Sequence, residues 1–546
     1  MRFVARLLLI LAAAATGVVA AAPASPQAAA IDPVRLSRHI RILASDAFEG
    51  RGPGTEGERR TLAYIIAQFR AYGLRPGGDR GGWTQAVPMN RVTISPQRRL
   101  AITGAGTGCT AELGDSIIIG TRDPAPHVDI ANAPLVFAGY GIVAPELGWD
   151  DYRDLDVRGK IVIVLANDPD HEQDGGPFGG HAMSYYGRAP YKVEEAARHG
   201  ALAILSVHHD AFVGQPWRFT SGTYGGASSG LRGAPDSRLA FAGWLRQDAA
   251  EHLFQCAGLD LERERRAAQA RGFRARPLAG VTLSARFDAT TRTVFTHNVV
   301  GLLPGRLHPR ESFVYTAHWD HLGIGRPDST GDRIYNGALD NAGGVAGLLE
   351  LARVFAAGPR PQRSLLFIAT TLEESGLLGS GYYVDHPLLP LATTVGGINM
   401  DAVNLFGPTG TMEVTGLGHT DLEDILGAEL QATGRRMQDD PNSVVGFYYR
   451  SDHFPFARAG VPFLFAGSGW ELADQRAPNR RDPQVGTRFH QPSDEWSADM
   501  DFAAAARDVQ LYHRVGLRLA NSRLWPAWRP GTEFAALRAR TASARR

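Results

Sequence analysis

Five side chains of the kind that hold metal ions stand in the second half of this chain, each where a strand-like run or a loop gives way. His318 follows Ser312–Ala317, Asp340 opens a Gly-rich helix, Glu374 follows Leu365–Thr371, Asp401 follows Ile398–Met400, and His490 follows a polar loop. From about Val281 to Leu519 short apolar runs alternate with helical patterns such as Asn341–Phe355. That alternation predicts an α/β fold with a mostly parallel central sheet and helices on both faces. In open sheets of this class, ligands collect at the carboxyl ends of the strands. Imidazoles and carboxylates gathered there suit a divalent cation of the zinc type, which points to a metallohydrolase.

Composition narrows the field further. A chain of 546 residues has room for about two to four domains. Its 44% apolar content supplies large cores, and 21% charge argues against a disordered protein. A formal net charge of +1 provides no global field to recruit nucleic acid or an anionic membrane. At the N-terminus, Arg2 and Arg6 precede the apolar run Leu7–Val19 and small residues up to Ala22. Residues 1–22 therefore read as a signal peptide, which places the mature protein in the periplasm or outside the cell without stable membrane insertion. Cys109 and Cys256 are the two cysteines. Whether they approach each other is open at this level, and two thiols are too few for a Cys-rich zinc site.

Two amphipathic helices are expected over Pro33–Phe48 and Glu58–Tyr72. The polar Glu49–Thr55 loop between them is either a solvated turn or a contact with a pocket. Beyond about Glu112 the texture changes to short β-like runs, among them Leu135–Val143 and Gly159–Leu165. The domain reading is 31–114 as the first part of a catalytic domain, 115–277 as an insert, 278–520 as the remaining catalytic part, and 521–546 as a loosely held extension.

The chemistry-bearing fragments gain weight together. Asp320, two residues after His318, is placed to accept the spare ring N–H and so to fix the tautomer of a ligand. An Asp at a helix start is by itself an ordinary N-cap, yet a carboxylate also has two oxygens with which to bridge two cations. Glu373 and Glu374 are adjacent acids that repel unless something positive lies between them. One of them can ligate while the other takes a proton. His490 with Asp494 repeats the imidazole–carboxylate pairing, and His453 reads as a supporting imidazole more than a ligand.

These fragments, in this order, resemble the co-catalytic di-zinc aminopeptidase family, which includes secreted bacterial aminopeptidases and relatives of glutamate carboxypeptidase II. The resemblance implies two zinc ions per chain. His318 and Asp401 would hold one, Glu374 and His490 the other, and Asp340 would bridge them through a loop with a cis Asp340–Asn341 bond. Glu373 would be the general base and Asp320 would orient His318. Residues 115–277 resemble a β-rich protease-associated domain found in part of that family. Where some relatives carry an oxyanion-steadying Tyr before the last ligand, this chain has Phe489, so Tyr448 or Tyr449 becomes the candidate. The implied activity is removal of N-terminal residues from peptides with a free amino group. A carboxypeptidase, a single-zinc cyclase-like relative and a non-catalytic binding protein are the rival readings. Oligomeric state and residue preference are not legible.

Overall fold

Alternation along adjacent strands decides how the sheet that carries His318 is covered. Phe313, Tyr315, Ala317, Leu365, Phe367 and Ala369 face one core, while Val314, Leu366 and Ile368 face another. Successive strand residues point to opposite faces, so a continuous apolar run buries both. The computed structural model describes residues 30–545 apart from 105–107, 123–124, 215, 225–227, 234–237 and 474–486. The expected signal peptide lies outside the described residues.

Four parallel strands form the centre, in the spatial order Arg363–Thr370, His308–His318, Thr394–Asn399, Phe463–Ser468. Helices Pro33–Leu43, Gly343–Ala357 and Phe502–Ala520 pack on one face. Leu378–Asp385 and His453–Arg458 pack on the other, around Tyr383 and Phe456. In chain order the second strand lies on one side of the first and the third on its other side. That reversal is a topological switch point, where a crevice opens at the carboxyl ends.

The 28-residue strand Arg276–Leu303 joins this sheet to a second one. Its last residues pair antiparallel with Arg363–Thr370, its middle with Thr84–Ile94, and its first part with His127–Phe137 and Arg99–Gly104. The second sheet continues through Ile161–Leu165, Ala203–His208 and Phe241–Arg246, all mutually parallel, with helices Ala189–Arg198 and Gln247–Cys256 beside it. Its core draws on residues from Leu100 to Phe287, a wider span than 115–277. A disulfide joins Cys109 to Cys256 across a Cα separation of 5.6 Å.

The C-terminal stretch, expected to be loosely held, is packed. Trp528 and Phe534 are buried, the Trp528 indole N–H donates to the Gly460 carbonyl at 2.9 Å, and Arg538 donates to the carbonyls of Thr394 and Val395. Its anchors are single aromatic and arginine side chains spaced without periodicity, so no helical or strand pattern announces them. Among the described residues no helix is long and apolar enough to cross a membrane.

Candidate metal centre

Register brings the donors together. His318, the last residue of its strand, lies beside Thr370, and Thr316 lies beside Asn399. The loops carrying Glu373, Glu374 and Asp401 therefore leave the sheet on either side of His318. Its Nε2 is 3.1 Å from Asp401 Oδ1 and 3.2 Å from Asp340 Oδ1. His490 Nε2 is 3.1 Å from Asp340 Oδ2 and 3.1 Å from Glu374 Oε2. Asp340 thus turns one oxygen to each imidazole. Donor atoms about 2.0 Å from one tetrahedral zinc lie about 3.3 Å apart, so these spacings suit two cations sharing the Asp340 carboxylate. The donor set itself, two imidazoles and three carboxylates, is of the type zinc takes.

The loop that presents Asp340 is held from three directions. The Asp340–Asn341 peptide is cis, in keeping with the resemblance. Asn341 donates to the Met400 carbonyl at 2.9 Å and accepts from Gly344 N and Ala402 N, which ties the bridging residue to the Asp401 loop. Asp494 accepts the backbone N–H groups of Leu339 and Asp340. Pairing of Asp494 with His490 is not what forms, because its carboxylate is already engaged by those two amides.

The loop between the first two helices reaches the pocket. Arg51 is fully buried and donates to the carbonyls of Leu43, Trp319, Asn336 and Gly337, at 2.6–3.0 Å. Burial lowers its pKa to about 10, opposed by the nearby Asp340, Asp494, Asp320 and Glu374. This guanidinium ties the His318 strand end to the Asp340 loop. Sequence reading left its loop undecided, and a lone Arg among glycines carries no stronger signal.

Two expectations need correction. Asp320 was to orient His318 through its carboxylate. The His318 Nδ1 instead bonds the Asp320 backbone carbonyl at 3.1 Å, and the carboxylate, 3.8 Å away, accepts the Glu373 backbone N–H at 3.2 Å. The chain turns sharply after the strand, so the carbonyl reaches the ring first. Tyr448 and Tyr449 were candidates for steadying an oxyanion. Both are buried in an aromatic cluster with Phe454, Trp528 and Phe534, where Tyr448 stacks on His419 and Tyr449 bonds Glu533. Packing by the C-terminal stretch claims these rings. His453 is buried against Tyr448 and Phe465. Phe489 stacks on His490 at 3.9 Å and is 49% exposed.

Two contributors escaped sequence reading. Ser451 donates to Asp401 Oδ2 at 2.7 Å and accepts from Asn399, which accepts in turn from Thr316. His321, fully buried, approaches Glu374 Oε1 through Nδ1 at 2.6 Å. His321, Asp340 and Glu374 form one group of closely placed donor atoms, and His318, Asp340 and Asp401 form another. The signal for His321 is its place in His318-Trp319-Asp320-His321, three residues after a ligand candidate and next to Asp320.

The electrostatics ask for positive charge. Burial disfavours protonation of His318, yet Glu373 and Asp401 overrule it and raise its pKa well above the usual value. His490 is raised likewise against its burial, by Glu374 and Asp340. Burial, joined by Asp401 and Glu374, pushes Glu373 well above the ordinary carboxylate range. Burial also lifts Asp320 to about 8.

An open α/β sheet with clustered zinc-type donors at its switch point defines the class of fold and site. Residues 298–513 match Peptidase family M28. The aminopeptidase YwaD of Bacillus subtilis is 36% identical over 113 residues, 20% of this chain and 22% of that protein. Leupeptin-inactivating enzyme 1 of Streptomyces exfoliatus is 29% identical over 211 residues, 34% of this chain and 41% of that protein. The alignments thus span less than half the length of these two curated relatives. A solved aminopeptidase from Aneurinibacillus sp. strain AM-1 shares the fold with a TM-score of 0.53, at 20% identity over 90% of this chain and 94% of the other.

Proposed function

We propose that this protein is an exported zinc-dependent aminopeptidase that uses two zinc ions and Glu373 as general base. The observation that carries the reading is Asp340, one oxygen facing His318 and the other His490. Under it, His318 and Asp401 would hold one cation, Glu374 and His490 the other, and Asp340 both. Two zinc ions bound there would polarise the scissile carbonyl and make water acidic enough to attack near neutral pH. Glu373, half-buried beside these donors with Oε2 4.0 Å from His318 Nε2, takes the proton of the attacking water and returns it to the leaving amine. Asp320 steadies Glu373 by accepting its backbone N–H. The names of the relatives support removal of N-terminal residues, and the second sheet is the protease-associated insert of this reading. The Cys109–Cys256 disulfide agrees with an oxidising compartment and hence with export to the periplasm or beyond.

The test pairs metal analysis with hydrolysis of matched free and N-acetylated peptides. Two zinc equivalents and cleavage of the free peptides alone are expected. Cleavage indifferent to acetylation would replace the aminopeptidase reading with a carboxypeptidase one, and a single equivalent would favour the cyclase-like reading.

A further inference from the structure

We propose that His321 is a positioning residue for the Glu374 side of the centre: its ring N–H pins one carboxylate oxygen so that the other alone is presented to the cation shared with His490. The inference rests on the two-zinc reading above and adds a residue to it.

Spacing separates His321 from the two ligating imidazoles. His318 and His490 stand 3.1–3.2 Å from their carboxylate oxygens, close to the separation of two donors on one ion. His321 Nδ1 stands 2.6 Å from Glu374 Oε1, too close for two ligands of one zinc and right for a charge-assisted hydrogen bond. The bond falls on Oε1, whereas His490 faces Oε2. Each oxygen of Glu374 therefore has its own imidazole.

Charge and burial agree with this division. The Glu374 carboxylate accepts and cannot donate, so Nδ1 carries the proton. His321 Nε2 is buried with no hydrogen-bond partner among the described residues. An N–H at Nε2 would be stranded there, so the Nδ1–H tautomer is the one that fits. The ring is held firmly. Its backbone N–H donates to the Arg51 carbonyl at 3.3 Å, and a Cβ on Gly337 would come within 2.7 Å of His321 Cδ2. Gly337 has φ +58°, where glycine alone is unstrained, so the close approach and the conformation demand the same residue.

Outer hydrogen-bond partners of this kind change metal affinity about 10–100-fold when lost. The experiment is a competitive titration of zinc against a chromophoric chelator, on the full chain and three variants. His321→Asn keeps an N–H near the Nδ1 position, His321→Gln moves it to the far side of the ring, and His321→Phe removes it. Wild type is expected to bind two equivalents. His321→Phe and His321→Gln are expected to weaken one of them about 10–100-fold and spare the other, with His321→Asn near wild type. Unchanged affinities in His321→Phe, equal loss at both sites, or His321→Asn as damaged as His321→Gln would each overturn the proposal. The last result would make His321 itself a ligand. Failure of wild type to bind two equivalents would instead sink the underlying two-zinc reading. Should His321→Phe not fold, the Asn–Gln contrast alone decides.

Discussion

Both halves of the molecule bury acids, and they resolve the cost in opposite ways. Around the second sheet, Asp151 accepts from Ile142 N and the Trp149 indole, Asp168 accepts from Ser184 N and Oγ, and the buried Lys192 donates to the carbonyls of Tyr140 and Asn167. Lys192 also balances the two carboxylates electrostatically. In that group both acids are hydrogen-bonded within the fold, and one ammonium partly offsets two carboxylates that burial raises to about 7. Among the described residues, Asp340, Glu373, Glu374 and Asp401 crowd together at the strand ends of the parallel sheet with no lysine or arginine among them, and His318 and His490 are driven toward protonation. Burial of charge is therefore no sign of function by itself. An unmatched excess of one sign, aimed at a crevice, is the informative case.

The contrast can be broken in several places. The largest effect expected is from Glu373→Gln, with kcat reduced about 10²–10⁴-fold and zinc content unchanged, read by steady-state kinetics beside metal analysis. Retention of kcat would remove Glu373 from the proton-transfer role. Lys192→Met should cost about 3–5 kcal/mol in denaturant unfolding, because two carboxylates lose their buried counter-charge, while zinc stoichiometry stays as in wild type. If zinc is lost with it, the two regions are not independent. Replacing Cys109 and Cys256 with Ser should lower stability by about 2–5 kcal/mol, again without loss of zinc. The smallest effect is graded with pH. His318 and His490 have raised pKa values without metal, so zinc must displace their protons. Zinc affinity should fall as pH falls, by about tenfold per pH unit for each imidazole deprotonated on binding, and calorimetry in buffers of different ionisation heat would count the protons. Affinity independent of pH between 6 and 8 would contradict the electrostatics described for these two rings.

Much of the catalytic part was readable along the chain. Periods of two and of three to four residues mark strands and helices, and acids or imidazoles after Ala317, Thr371 and Met400 stand out because buried runs end there. Local pattern was enough to propose which strand ends carry donors, because a parallel strand must finish at one edge of its sheet. The role of Asp320 was read one atom group too far out, since sequence spacing does not say whether carbonyl or carboxylate turns toward a ring. Arg51 bonds to Gly337 across 286 positions, and Tyr448 and Phe534 meet through a segment with no repeat. The amino-acid order thus determined the strands, the helices and the chemical character of their ends. Tertiary structure alone decided which oxygen faces which nitrogen, because hydrogen bonds and cation sites depend on ångström-scale convergence of side chains far apart in the chain.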